Sequence, residues 1–88
     1  MKRIYKYKLE VTDVQHIVMP AGAVILTVQT QFGQPCIWAL VDTDVPCDIE
    51  YKFEIFGTGN PIADDFEGKY IGTFQMEEGQ LVFHVFLT

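Results

Sequence analysis

The residues with the most chemical potential in this chain are two histidines, two cysteines, one tryptophan, twelve carboxylates and the segment Gly57-Thr58-Gly59-Asn60-Pro61. The glycines follow a strand-like run, as nucleotide-binding glycines do. The third glycine of GxGxxG is missing, however, as is the Lys-Ser/Thr of a P-loop, and no long helix follows to offer its N-terminus to a phosphate. A Rossmann or P-loop cradle is therefore excluded. Two readings stay open: the glycines permit positive φ in a wide turn, or free backbone N–H groups of the loop form a small anion nest without a helix.

The other groups are weaker candidates. Cys36 and Cys47 form no CxxC and no metal cluster, so reduced thiols are expected. His16 and His84 lie on separate strands with no Cys/His spacing suited to zinc. Asp42, Asp44 and Asp48 lack the central glycine and terminal glutamate of a calcium loop. They read as solvated turn carboxylates, as do Asp64, Asp65 and Glu67. A Cys–His nucleophile needs a contact that spacing does not provide, and Cys36 beside Pro35 reads as a packed thiol. Dispersed carboxylates single out no acid–base pair. The expectation is a protein that is not an enzyme and needs no cofactor or metal. His84 alternates with Val82 and Phe86, so it is either a satisfied structural histidine or a ligand contact. Trp38, Phe56, Tyr70, His84 and Phe86 exceed what one small core needs, which points to an aromatic surface patch.

The elements that position these groups are all strands. Lys2–Glu10 alternates Arg3, Tyr5, Tyr7 and Leu9 against Ile4, Lys6, Lys8 and Glu10. Val14–Met19 is stopped by Pro20. Ala23–Gln31 is apolar on both faces over much of its length and is predicted to be central. Phe32-Gly33-Gln34-Pro35 turns it into Cys36–Val41 as a hairpin. Ile49–Phe56 directs Tyr51, Phe53 and Ile55 inward. The loop 57–69 follows, with one helical turn predicted over Pro61–Phe66. Tyr70–Met76, a hairpin turn at Glu77-Glu78-Gly79, and Leu81–Leu87 complete the chain. Leu81–Leu87 has little that faces water cheaply and is predicted to be central or at a subunit interface. No repeat, linker or helical periodicity is present. Seven short strands predict a single all-β domain over residues 1–88, an antiparallel β-sandwich or flattened barrel.

A chain of 88 residues has a modest core, and its 49% hydrophobic content rules out a disordered segment. Oligomerisation is the expected compensation. A net charge of −6 argues against duplex nucleic acid or an anionic membrane as partner. Four of the six basic residues, Lys2, Arg3, Lys6 and Lys8, lie in the first strand. They either guard a sheet edge or supply a local anion contact. No signal peptide is visible and no apolar run reaches membrane-spanning length, so a cytoplasmic location is expected.

Three stretches carry a resemblance. Trp38-Ala39-Leu40-Val41-Asp42, Phe53–Ile62, and Tyr70–Gln75 with Leu81–Phe86 together resemble a family of small phage and prophage proteins, a domain of unknown function. The likeness extends over nearly the whole chain, including Met19-Pro20 and Pro35-Cys36. In that family the position of Asn60 is often a histidine, so this chain departs from any site built on one. The resemblance transfers no catalytic residue. It implies a small cytoplasmic protein made during infection or lysogeny, acting by binding. The leading expectation is a non-catalytic, oligomeric counter-defence factor that sequesters a small anionic, nucleotide-type ligand. Its ligand-binding residues would be Gly57, Thr58, Gly59, Asn60, Trp38, His84, Lys6 and Lys8. The alternatives are an inhibitor of a host protein acting through an acidic surface, and a structural phage component.

Overall fold

A computed structural model describes residues 1–88 as seven strands: β1 (Lys2–Lys8), β2 (Val14–Pro20), β3 (Val24–Gln31), β4 (Gln34–Asp42), β5 (Cys47–Gly57), β6 (Lys69–Met76) and β7 (Leu81–Leu87). They form two antiparallel sheets, a three-stranded one in the order β1-β4-β3 and a four-stranded one in the order β2-β5-β7-β6. The sheets pack face to face as a sandwich and do not close into a barrel. The Cα envelope is thin, 41 × 34 × 16 Å, as expected of two stacked layers.

The period of two decides which residues meet between the layers. In the three-stranded sheet the inward rows are Tyr7–Ile37–Val28 and Ala39–Ile25, with Tyr5 continuing the second row at the exposed edge. In the four-stranded sheet they are Phe53–Leu87 and Ile55–Val85–Gly72. Phe53, Ile37, Val85, Met19 and Leu9 are completely buried, each contributing roughly 1.5–3 kcal/mol relative to exposure. Leu9 anchors the passage from β1 into the other sheet: its N–H donates to the Pro35 carbonyl at 3.0 Å, and Gln34 Nε2 donates to its carbonyl at 3.0 Å. No buried side-chain nitrogen or oxygen is left without a partner, which removes the usual large penalty for interior polar groups.

Along one side the layers approach closely, β3 against β6. There Gly72 faces Val28, and a Cβ on Gly72 would lie 2.8 Å from Val28 Cγ1. Glycine is present for the close approach, not for its φ, which is not in the left-handed region.

Two expectations are corrected. β3 is an edge strand of its sheet, and β4 is the central one. β3 is apolar on both faces because Ile25 and Val28 enter the core while Val24 and Leu26 stand on an exposed apolar surface. Pro61–Phe66 forms no helical turn; the Phe66 N–H reaches only to the Ala63 carbonyl at 3.0 Å, a single reverse turn. The hairpin turn expected at Glu77–Gly79 does join the antiparallel strands β6 and β7; it is a short 3₁₀ element in which Glu77, Glu78 and Gly79 all have positive φ. The placement of β7 in the middle of its sheet and of β1 at an edge agrees with their patterns.

Candidate functional site

β6 carries a bulge between Tyr70 and Gly72. In an unbroken strand Tyr70 and Thr73, three residues apart, would point to opposite faces. The extra residue brings both to the outer face, Tyr70 opposite Phe86 and Thr73 opposite His84. β7 contributes His84 and Phe86 to that face by simple alternation, and β5 contributes Phe56, the register partner of His84.

These residues form two adjoining groups. The first is a line of hydrogen bonds. Tyr70 OH lies 2.5 Å from Thr73 Oγ1, Thr73 Oγ1 lies 2.9 Å from His84 Nδ1, and His84 Nε2 lies 2.7 Å from Thr58 Oγ1. Either neutral tautomer completes the line. With the proton on Nε2, His84 donates to Thr58, whose hydroxyl points on to the Val82 carbonyl at 3.5 Å. Tyr70 then donates to Thr73, and Thr73 to Nδ1. With the proton on Nδ1 every donor reverses, and the Tyr70 hydroxyl turns to solvent. Both partners of the imidazole are hydroxyls. No carboxylate orients the ring as in a catalytic triad. The line offers a ligand both donors and acceptors.

The second group is aromatic. Phe66, carried by the loop, folds back onto the sheet, edge-on to Phe56 at 5.2 Å and to Phe86 at 5.3 Å between ring centroids. Phe56 and Phe86 meet at 5.9 Å, and Tyr70 meets Phe86 at 5.6 Å. Edge-to-face pairs of this kind add about 0.5–1.5 kcal/mol each beyond area burial. Gly68 makes the fold-back possible, since a Cβ there would lie 2.6 Å from Phe66 Cζ. Tyr70 belongs to both groups, with its ring on Phe86 and its hydroxyl on Thr73.

The loop Gly57–Pro61 stands at the Thr58 end of the line. Thr58 N–H donates to the Val82 carbonyl at 3.1 Å, extending the ladder by one residue, and Asn60 N–H donates to the Gly57 carbonyl at 3.0 Å. Those two donors are spent internally, so they do not form an anion nest. Gly59, with φ +88°, is the position that requires glycine for its backbone; Gly57 instead faces the Asn60 side chain. Three clefts meet at Asn60. One of about 440 Å³ runs between Gly57-Thr58 and Gln80–Phe83. Another of about 320 Å³ is bordered by Asp13, Val14, Glu54, Phe56 and Pro61. The third, about 170 Å³, lies under Val11–Asp13.

The structure therefore divides the predicted residues. Thr58, Asn60, His84 and the flanking glycines come together on one side. Lys6 and Trp38 are direct cross-strand neighbours on the outer face of the other sheet. Lys6 donates to Gln31 Oε1 at 2.8 Å, and Lys8 pairs with Glu10 at 3.5 Å. No lysine borders any cleft at the loop; Asp13 and Glu54 do. Tyr70, Phe56 and Phe86 belong to the aromatic surplus visible in the sequence. Thr73 and Phe66 carried no signal, because a bulge and a loop fold-back bring them in. No group of three or more His, Cys, Asp or Glu side chains is placed to hold a metal.

The family described as a domain of unknown function (DUF7352) matches residues 1–88, and the chain belongs to it. Neither the curated proteins nor the solved structures give a match.

Proposed function

We propose that the protein is a non-catalytic binding module for a small nucleotide-type ligand. The ligand sits on the outer face of the four-stranded sheet and is held through its base and sugar more than through its phosphates. One observation carries this reading: the line Tyr70–Thr73–His84–Thr58 ends at a 440 Å³ cleft and runs beside a partly exposed aromatic cluster. That volume lies in the range of small-molecule sites. Hydroxyls and an imidazole match ribose and base edges, and aromatic rings match a base. Asp13 and Glu54 at the neighbouring cleft disfavour phosphate there. In the phage setting implied by the sequence resemblance, such binding would sequester a host nucleotide signal as a counter-defence measure.

Thermal shift and calorimetry across nucleosides, cyclic nucleotides and ADP-ribose-type compounds test the reading. A ligand at one hundred times its Kd adds about 2.7 kcal/mol. For a chain of this size that is a rise of roughly 10–20 °C. The gain should vanish in Thr58→Val and His84→Leu. Absence of any shift across the panel refutes the reading.

A second reading, an inhibitor that engages a host protein through acidic residues, is favoured by the exposed Asp44, Asp48 and Glu50 around the β4–β5 turn. It predicts association that weakens steeply with salt, whereas the small-ligand reading predicts little salt dependence.

A further inference from the structure

β5 sets three chemically different side chains in one line on the outer face of the four-stranded sheet. Glu54, Phe56 and Thr58 lie two residues apart, so all three point the same way, at steps of roughly 6–7 Å. Thr58 keeps that register because its N–H continues the ladder to Val82 and its hydroxyl meets His84. The 320 Å³ cleft opens beside Glu54 and Phe56 and is bordered by Asn60. Asn60 also borders the 440 Å³ cleft at Thr58, so the two clefts adjoin along this line.

Glu54 is the group on this line that no protein contact explains. Among the carboxylates only Asp42 and Glu54 are partly buried; the others are exposed. Asp42 is held by the Met1 amine at 3.2 Å and the Asp44 N–H at 3.0 Å. Glu54 has no such partner. Its cross-strand neighbours on the outer face are Val14 and Phe86, and Lys52, two residues back on β5, makes no ion pair with it. A partly desolvated carboxylate beside apolar neighbours is costly unless something supplies hydrogen-bond donors. The Asn60 backbone N–H is spent on Gly57, which leaves its side-chain amide for the cleft.

We infer that the base of the ligand is guanine, stacked on Phe56, with its N1–H and N2–H donating to the Glu54 carboxylate and its O6 accepting from the Asn60 amide. An ionised carboxylate only accepts, and it takes two adjacent donors through two parallel, charge-assisted hydrogen bonds. Guanine carries such a pair on its Watson–Crick edge. Adenine and cytosine set a ring-nitrogen lone pair beside the amine, and uracil sets its one N–H between two carbonyls. With the base on Phe56 and its edge toward Glu54, the sugar falls toward Thr58 and His84. A guanidinium offers the same two donors but carries nothing for the Thr58–His84 pair. Asp13, exposed at the rim, adds to the negative field that turns phosphate away from this cleft. The inference rests on the nucleotide reading of the same surface and adds the identity of the base.

Calorimetry with guanosine, inosine, adenosine and arginine amide tests it. Guanosine should bind most tightly. Inosine lacks the N2 amine and should bind about tenfold more weakly, and adenosine roughly 5- to 100-fold more weakly. Glu54→Gln lies on an outward face and removes no protein contact, so its melting temperature should match the wild type. Glutamine presents one donor and one acceptor, the pattern that adenine's edge matches, so the order of guanosine and adenosine should invert. Equal affinity for guanosine and adenosine, or a guanosine preference that survives Glu54→Gln, overturns the guanine assignment and leaves the nucleotide reading standing. Failure of every nucleoside to bind overturns both, and arginine amide binding in their place shows the cleft to be a guanidinium site.

Discussion

Replacing Gly72 by alanine should push apart the two layers where they approach most closely, and should disturb the candidate site next to it. The new Cβ would lie 2.8 Å from Val28 Cγ1, against about 3.5–4.0 Å for carbon atoms at rest. Something must therefore move by roughly 1 Å. Val28 is 3% exposed, and its branched side chain has little rotamer freedom, so β6 or β3 has to shift. Overpacking of this kind costs about 1–3 kcal/mol. The lower backbone entropy of alanine in the unfolded chain returns about 0.5–1 kcal/mol. The net loss of about 0.5–2 kcal/mol corresponds to a fall in Tm of roughly 2–16 °C for a domain of this size. The companion variant Val28→Ala loses buried methyl groups, about 1.6 kcal/mol. In the double variant the smaller side chain leaves room for the Cβ, so the combined loss should fall short of the sum by about 1 kcal/mol. Denaturant melts of the four proteins complete the cycle. Thr73 adjoins Gly72, so the His84 ring resonances should move in Gly72→Ala and return in the double variant. A neutral or stabilising Gly72→Ala, or strict additivity with Val28→Ala, refutes the close-approach argument.

Three further outcomes are expected. Gly68→Ala places a Cβ 2.6 Å from Phe66 Cζ and 3.1 Å from Thr88 Cγ2; it should release Phe66 from Phe56 and Phe86, with faster proteolysis in loop 58–68 and a stability loss of about 1–3 kcal/mol. Phe32 is fully exposed with φ +51° in the two-residue turn between Gln31 and Gln34. That turn favours Asn there, so Phe32→Asn should raise stability by about 1 kcal/mol, and a fall in Tm would show that Phe32 makes a contact in solution. The third concerns pH. The Asp42 carboxyl is held below its ordinary 3.8 by the Asp44 N–H first and then by the Met1 amine, and that amine is raised above 8.0 by Asp44 and Asp42. The stabilisation is therefore fully present between about pH 4 and 8. It is lost on the acid side as pH falls through the lowered Asp42 value, and on the basic side as pH rises through the raised amine value. Acetylating the amine should abolish the basic-side loss in urea melts, and an unchanged profile would show that these exposed pairs contribute nothing.

What the sequence revealed and what it hid divide along the regularity of the strands. β7, and β5 from Ile49 onward, alternate without interruption, and their buried residues Phe53, Ile55 and Val85 fall where the pattern puts them. β3 and β6 each carry one extra residue; the misplacing of β3 as a central strand and the missing of Thr73 as a site residue both arise there. In β3 the bulge at Leu26 lets apolar residues face outward and core at once, which imitates a strand buried on both sides. In β6 the bulge at Ile71 turns Tyr70 and Thr73 to the same face, a pairing that period-two reasoning forbids. A bulge has no compositional mark of its own; the one clue was Gly72, which is out of place in a strand interior unless another backbone or side chain comes close. The loop Gly57–Pro61 shows the converse. Its glycines resemble phosphate-binding chemistry in sequence, but two of the loop's N–H groups close on Val82 and Gly57, and the neighbouring clefts carry carboxylates. The loop contributes to the site through the Thr58 hydroxyl. Hence the test of the site lies in Thr58→Val more than in any glycine substitution: removing one hydroxyl opens the line at the cleft while leaving the Gly59 turn and the Thr58–Val82 ladder bond in place.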